Sequence, residues 1–249
     1  MPGQLIHPHV TVTYNTFDAS RVSCGEYVDS KYSSGQKVAY IKYNHCNMQL
    51  QSPNIHLFTY GIPKEDKQYH RSDRDRCHIK IPEDINDPKS ILFFSKFQVL
   101  DRYFDNDDFR VERFGKNAKL YKYVPIVWDP HDNEEADPSK PKRPRYIKVE
   151  IDSDWKTNTI TSKCFVMNDD ARVPVTVESI DDLRRYANYK SYVRMLIHVN
   201  KSYMCKSKLS NTEFRTYGTT LKLNQILCEP NVHSCTKSDS NEDQFIDED

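Results

Sequence analysis

RYIKVEID (145–152), NTITSKCFVM (158–167), ESIDDLRRYANYK (178–190), KSYVRMLIHV (190–199) and YGTTLKLNQIL (217–227) decide the reading of the fold. The first two and the last two are rich in β-branched and aromatic residues, the composition of strands. The middle segment reads as a helix. Ser179 can cap it with Asp182 three residues on, and Ile180, Leu183 and Ala187 recur at helical spacing. With one strand placed before them, strand, strand, helix, strand, strand is the order of an OB-fold, whose helix lies between the third and fourth strands. The expectation is a mainly β chain built on an OB-type barrel with N-terminal elaborations. QKVAYIKYN (36–44) and SILFFSKFQVL (90–100) read as further strands, and 64–88 and 128–143 as long loops. Residues 1–235 form the expected domain and 236–249 a flexible acidic tail.

Alternation within the strands separates two faces. Ile147, Val149 and Ile151 leave Tyr146 and Lys148 on the other side. Ile160, Cys164 and Val166 leave Lys163 and Phe165, while Val193, Met195, Ile197 and Val199 leave Tyr192 and Arg194. Leu221 and Leu223 leave Lys222. A face of bases and rings suits single-stranded nucleic acid, because bases stack on exposed rings while Lys and Arg neutralise the phosphates between them. The same rings would equally serve a second core layer supplied by the N-terminal half. KPKRPRYIK (140–148) adds Lys142, Arg143 and Arg145, kept extended by prolines 138, 141 and 144. It reads as an arm along a phosphate backbone or as a solvated loop. Lys42 and Tyr43 complete the candidate nucleic-acid contacts.

The 249 residues balance 36 bases against 36 acids, but the charge is segregated. The last eleven, DSNEDQFIDED, hold six acids and no base, so the rest of the chain is net positive. Such a tail is too poor in apolar residues to fold. Asp243, Phe245, Asp247, Glu248 and Asp249 place one ring among acids, a pattern that can dock into a basic, apolar-lined groove. Only six Gly are present, and no glycine-rich phosphate loop is found. No apolar run is long enough to span a bilayer, and the first residues lack a signal-peptide pattern, so an intracellular protein without a membrane association is expected. Seven scattered cysteines, never in a C-x-x-C pair, suit free thiols. HRSDRDRCH (70–78) and the Cys228, His233, Cys235 cluster offer ligand types but no second pair at zinc spacing. No motif joins a nucleophile, a base and an orienting group, so neither catalysis nor a cofactor is expected; Asp73 and Asp75 within HRSDRDRCH are the alternative, a nuclease metal site.

The chain resembles the single-stranded DNA-binding proteins of large nucleocytoplasmic DNA viruses, which are related to the OB-fold single-strand binders of short-tailed coliphages. The resemblance lies in KVAYIKYNHCNMQLQSPNI (37–55), KLYKYVPIV (119–127), PRYIKVEID (144–152), VTVESIDDLRRYANYKSYVRMLI (175–197), YGTTLKLNQILCEP (217–230) and the acidic tail with its Phe245. It implies a non-enzymatic protein, expected as a homodimer, that coats single-stranded DNA in viral replication, repair or recombination. It also implies recruitment of a replicative DNA polymerase and a primase-helicase through the tail, in a replication compartment of the host cytoplasm or nucleus. The rival classes are a β-rich virion or scaffold protein and an RNA-binding OB module.

Overall fold

The computed structural model describes residues 9–66, 68–130, 142–154, 156–169 and 171–229. The N-terminal half supplies β1 (His9–Thr13), β2 (Val22–Cys24), β3 (Val28–Asp29), β4 (Gln36–Tyr43), β5 (Asn47–Gln51), β6 (Ile55–His56) and β7 (His78–Pro82). Then follow β8 (Tyr121–Val124), β9 (Val127–Trp128), β10 (Tyr146–Ile151), β11 (Lys163–Asn168), β12 (Ala171–Val175), β13 (Tyr192–Cys205) and β14 (Arg215–Cys228). The α-helices are α1 (Asp73–Arg76), α2 (Pro88–Phe104), α3 (Asp107–Phe114) and α4 (Ile180–Tyr186).

The spine of the sheet is the antiparallel pair β13–β14. The free edge of β13 takes β6, β5 and β4 in turn along its length. The free edge of β14 takes β11, β10 and β8. Register shifts between Leu196 and Ile197 and between Val199 and Lys201 interrupt the ladder, as bulges do where a long strand must bend. β1 lies parallel outside β5 and β7 antiparallel outside β10, and these two ends do not pair. The protein is therefore mainly β, but its sheet is not closed into a barrel.

Helix α4 forms as its sequence dictates. Ser179 Oγ accepts from Asp182 N at 3.1 Å, and Asp182 Oδ2 accepts from Ser179 N at 3.1 Å, a reciprocal capping box. Ile180 and Leu183 are buried beneath it. The segment 90–100, by contrast, is not a strand but the body of α2. Asp87 caps the helix by accepting from the backbone of Lys89 and Ser90, and Pro88 stands at the first position. Phe93, Phe94, Phe97, Leu100 and Phe104 recur at helical spacing and are fully buried against the sheet core of Ile41, Leu50, Ile79, Ile147 and Leu223. At about 1.5–3 kcal/mol per buried side chain, that stripe outweighs the strand propensity of its aromatics.

The region 64–88 is also not one loop, because it contains α1 and β7. Here Arg76, with its side chain 1% exposed, pairs with Asp73 and with Asp181 at 2.7 Å, tying α1 to α4.

Candidate nucleic-acid interface

The site begins with the alternation of β7 and β10. Ile79, Ile81, Ile147 and Val149 face the core and are wholly buried. The opposite face then carries Lys80 directly across from Lys148 and His78 across from Glu150. β9 pairs on the same strand so that Trp128 stands across from Tyr146. A half-buried carboxylate fixes that corner. Asp101 on α2 accepts from Tyr123 Oη at 2.8 Å, from Ile126 N at 2.7 Å and from Val127 N at 3.1 Å, and burial pushes its carboxyl upward.

Tyr60 arrives from a separate segment that is pinned to the chain between α4 and β13. Leu57 N donates to Ser191 O at 2.9 Å and Ile62 N to Ala187 O at 3.0 Å. Gly61 permits the close approach, since a Cβ there would lie 2.5 Å from the Tyr189 nitrogen.

These elements assemble a row of rings edged by ammonium groups. Tyr60 meets Tyr146 edge-on at 5.3 Å, and Tyr146 lies nearly parallel to Trp128 at 6.5 Å. Lys148 Nζ is 4.5 Å from the Trp128 ring centre, and Lys80 Nζ is 5.1 Å from that of Tyr146. A cavity of about 540 Å³, lined by Tyr60, Gly61, His78, Lys80, Lys148 and Tyr189 among others, opens on one side. A second of about 230 Å³ shares His78 and Lys148 and reaches Trp128 and Thr220.

Like charges directly opposite on a ladder are unfavourable. Among the described residues neither Lys80 nor Lys148 has a carboxylate within ion-pair distance. Burial, then the charges of Lys148 and Arg143, hold the Lys80 ammonium below the usual lysine range. A phosphate entering the groove would relieve that repulsion. Burial also holds the His78 imidazole below its ordinary value and raises the Tyr60 and Tyr146 phenols.

The sequence-expected residues divide among several fates. Tyr146, Lys148 and Arg143 gather at this groove, and exposed Lys142 precedes them. Arg145 is engaged in a bidentate pair with Glu83, at 2.6 and 2.8 Å. Lys222 lies 2.7 Å from Asp152 and 3.8 Å from Glu150. Lys42 donates to Asn47 Oδ1 at 2.6 Å.

Tyr43 is not a surface ring. It is buried, stacked on Phe17 at 5.8 Å, and its hydroxyl accepts from Asp18 N. Phe165 is likewise 1% exposed, packed with Leu196 and Leu227 into a small apolar cluster. Burial removes both rings from any contact with a base: Tyr43 lies in the main core, and Phe165 in a smaller second layer formed with β13 and β14 rather than with the N-terminal half.

Lys163, half-buried on β11, stands across from Gln225. Tyr192 remains exposed at the far end of β13, stacked on His56 at 4.4 Å, with Arg194 two residues on. Asp243, Phe245, Asp247, Glu248 and Asp249 lie outside the described residues, as do His233 and Cys235. Among the described residues no three His, Cys, Asp or Glu side chains form a metal cluster. Asp75 is occupied in capping α1 at Ser72, and Asp73 pairs with Arg76. No helix among them is long and apolar enough to cross a membrane.

Reading the sequence passed over Lys80, Tyr60 and Trp128. The alternation of HIKIP (78–82) was a usable signal for Lys80. Tyr60 and Trp128 sit in segments too short to show a period.

No protein-family model matches the chain. It is 26% identical to an uncharacterized protein of Acanthamoeba polyphaga mimivirus, over 88% of this chain and 62% of that protein. The chain thus spans about three fifths of the length of the curated relative to which it is similar.

Proposed function

We propose that the protein binds single-stranded nucleic acid, without catalysis, along the β7–β10–β9 groove. The observation that carries this reading is the unneutralised Lys80–Lys148 pair set among Tyr60, Tyr146 and Trp128. Each ring offers a π-face to a base, worth about 1–3 kcal/mol, and each ammonium can neutralise a phosphate. The site needs no particular sequence, because every base can stack.

DNA rather than RNA is favoured by the resemblance to the single-strand binders of large DNA viruses. On the same ground we read the unit of β10, β11, α4, β13 and β14 as an opened form of the OB arrangement. The acidic tail would then recruit a polymerase or primase-helicase.

The test is titration of a fluorescent poly-dT oligomer at several salt concentrations, with duplex DNA and an RNA of equal sequence as competitors. The reading expects a log–log salt slope of about −0.7 per phosphate neutralised. It expects weaker competition by duplex and by RNA. Affinity that ignores salt, or that treats duplex and single strand alike, would refute it. Equal competition by RNA would leave a single-strand binder without the DNA preference.

A further inference from the structure

The sheet face that bears Lys148 continues past the groove. Glu150 on β10 is registered with Lys222 on β14, and Lys222 with His198 on β13. At the far end of this row lies a cavity of about 870 Å³ lined by His9, Lys31, Asp152, His198, Lys201 and Lys222, with Tyr32 beside them. Three lysines outnumber one carboxylate, and that carboxylate already holds Lys222 at 2.7 Å. The His9 and His198 rings meet edge-on at 5.3 Å. The Nδ1 atom of His198 is buried and has no hydrogen-bond partner among the described residues. A cavity lined by more lysines than carboxylates, with a histidine ring in its wall, suits an anion.

We propose that this cavity seats a phosphate group of the bound strand, two sheet strands beyond Lys148, and that protonation of His198 tightens the seat. The proposal rests on the nucleic-acid reading of the Lys80–Lys148 groove. At about 4.8 Å per strand, the seat lies on the order of 10 Å across the sheet from that groove. Burial, then the charge of His9, holds the His198 imidazole below its ordinary range. A hydrogen bond with Asn224 and the charge of Asp152 favour its protonation, and Lys222 opposes it. A phosphate placed among these groups supplies the missing negative charge, so binding and proton uptake at His198 reinforce one another.

The full chain is titrated with oligo-dT of about four and about twenty nucleotides, bracketing the span of one OB-type site. Lys31→Ala/Lys201→Ala should weaken the long oligomer about tenfold, lower its salt slope by about 0.7 and leave the short one unchanged. Lowering the pH from about 7.5 to about 5.5 should tighten the long oligomer in the parent chain and do so less in His198→Asn. Unchanged long-oligomer affinity in the double-lysine variant would overturn the proposal, and thermal melting confirms that each variant is folded.

Lys80→Ala/Lys148→Ala distinguishes the two claims. If it has no effect while the Lys31/Lys201 variant does, the groove reading fails and the seat stands. Inorganic phosphate and dTMP are titrated in parallel, observing the His198 ring by NMR. Saturation by dTMP, together with an oligomer affinity indifferent to Lys31 and Lys201, would assign the cavity to a free nucleotide and overturn the strand path.

Discussion

Lys148 and Arg145 stand three residues apart in one basic segment, and their replacement by Ala should have opposite consequences. Lys148→Ala removes a cation–π contact with Trp128 at 4.5 Å, worth about 0.5–1 kcal/mol where partly exposed. It also removes the repulsion from Lys80 directly across the ladder, of similar size and opposite sign. Folding stability should therefore change by no more than about 0.5 kcal/mol. Binding should suffer, because one phosphate loses its counter-charge and the salt slope drops by about 0.7. Arg145→Ala strips the bidentate partner from Glu83, whose side chain is 5% exposed. An uncompensated buried charge costs about 3–5 kcal/mol, and the partial exposure of Arg145 places this case at the low end, about 3 kcal/mol. Urea unfolding monitored by circular dichroism, alongside poly-dT titration at several salt concentrations, measures both quantities. Glu83→Gln in the Arg145→Ala background should recover most of the lost stability. An Arg145→Ala variant that folds normally and binds weakly, or a Lys148→Ala variant with the parent salt slope, would refute this division of labour.

Tyr146→Ala and Trp128→Ala should each weaken oligo-dT binding by about 1–3 kcal/mol, read by fluorescence titration, and parent-like affinity in both would remove the stacking platform. Phe165→Ala should lower stability by about 3–5 kcal/mol in denaturant, with affinity preserved wherever the chain is folded; a binding defect without destabilisation would return Phe165 to the surface. Gly61→Ala forces a Cβ against the backbone of Asn188 and Tyr189 and should cost about 1–3 kcal/mol in a urea melt, whereas a neutral result would show the approach to be looser than described. The pH dependence of folding follows from His78 and His198, both held below their ordinary value by burial. The unfolded chain then binds more protons than the folded one, so stability present above pH of about 6.5 should decline as pH falls through that value. A long oligomer should restore part of this loss, and melting curves insensitive to pH between about 5 and 7 would contradict it.

The C-terminal half was legible because its local signals agree with its tertiary environment. Ser179 and Asp182 form the capping box that their spacing announces. Ile147, Val149 and Ile151 alternate on a strand with one core face, so period two appears cleanly in the sequence. Residues 90–100 misled because aromatic and β-branched composition was weighed above spacing. Asp87–Pro88 at the start, and Phe93, Phe97, Leu100 and Phe104 on one stripe, carried the helical answer. Phe165 misled for a different reason. A strand buried on both faces still alternates in polarity if Lys163 precedes it, and only the neighbouring strands' Leu196 and Leu227 reveal the second layer.

The candidate site shows the corresponding limit for function. Alternation placed Tyr146, Lys148, Lys163, Arg194 and Lys222 away from the core, but it could not tell a free base from a neutralised one. That distinction depends on acids distant in sequence: Glu83 holds Arg145 across 62 residues, and Asp152 holds Lys222 across 70. Lys148 differs because the residue opposite it in the ladder is another lysine. Nothing in the folding of β7 and β10 requires two ammonium groups to face each other, and the inner isoleucines and valine would hold the strands together without them. A like-charged pair kept between aromatic rings, on strands whose other face is fully packed, works against stability and in favour of an anion. That asymmetry, rather than the total number of bases, is the physical ground on which nucleic acid is proposed for this groove.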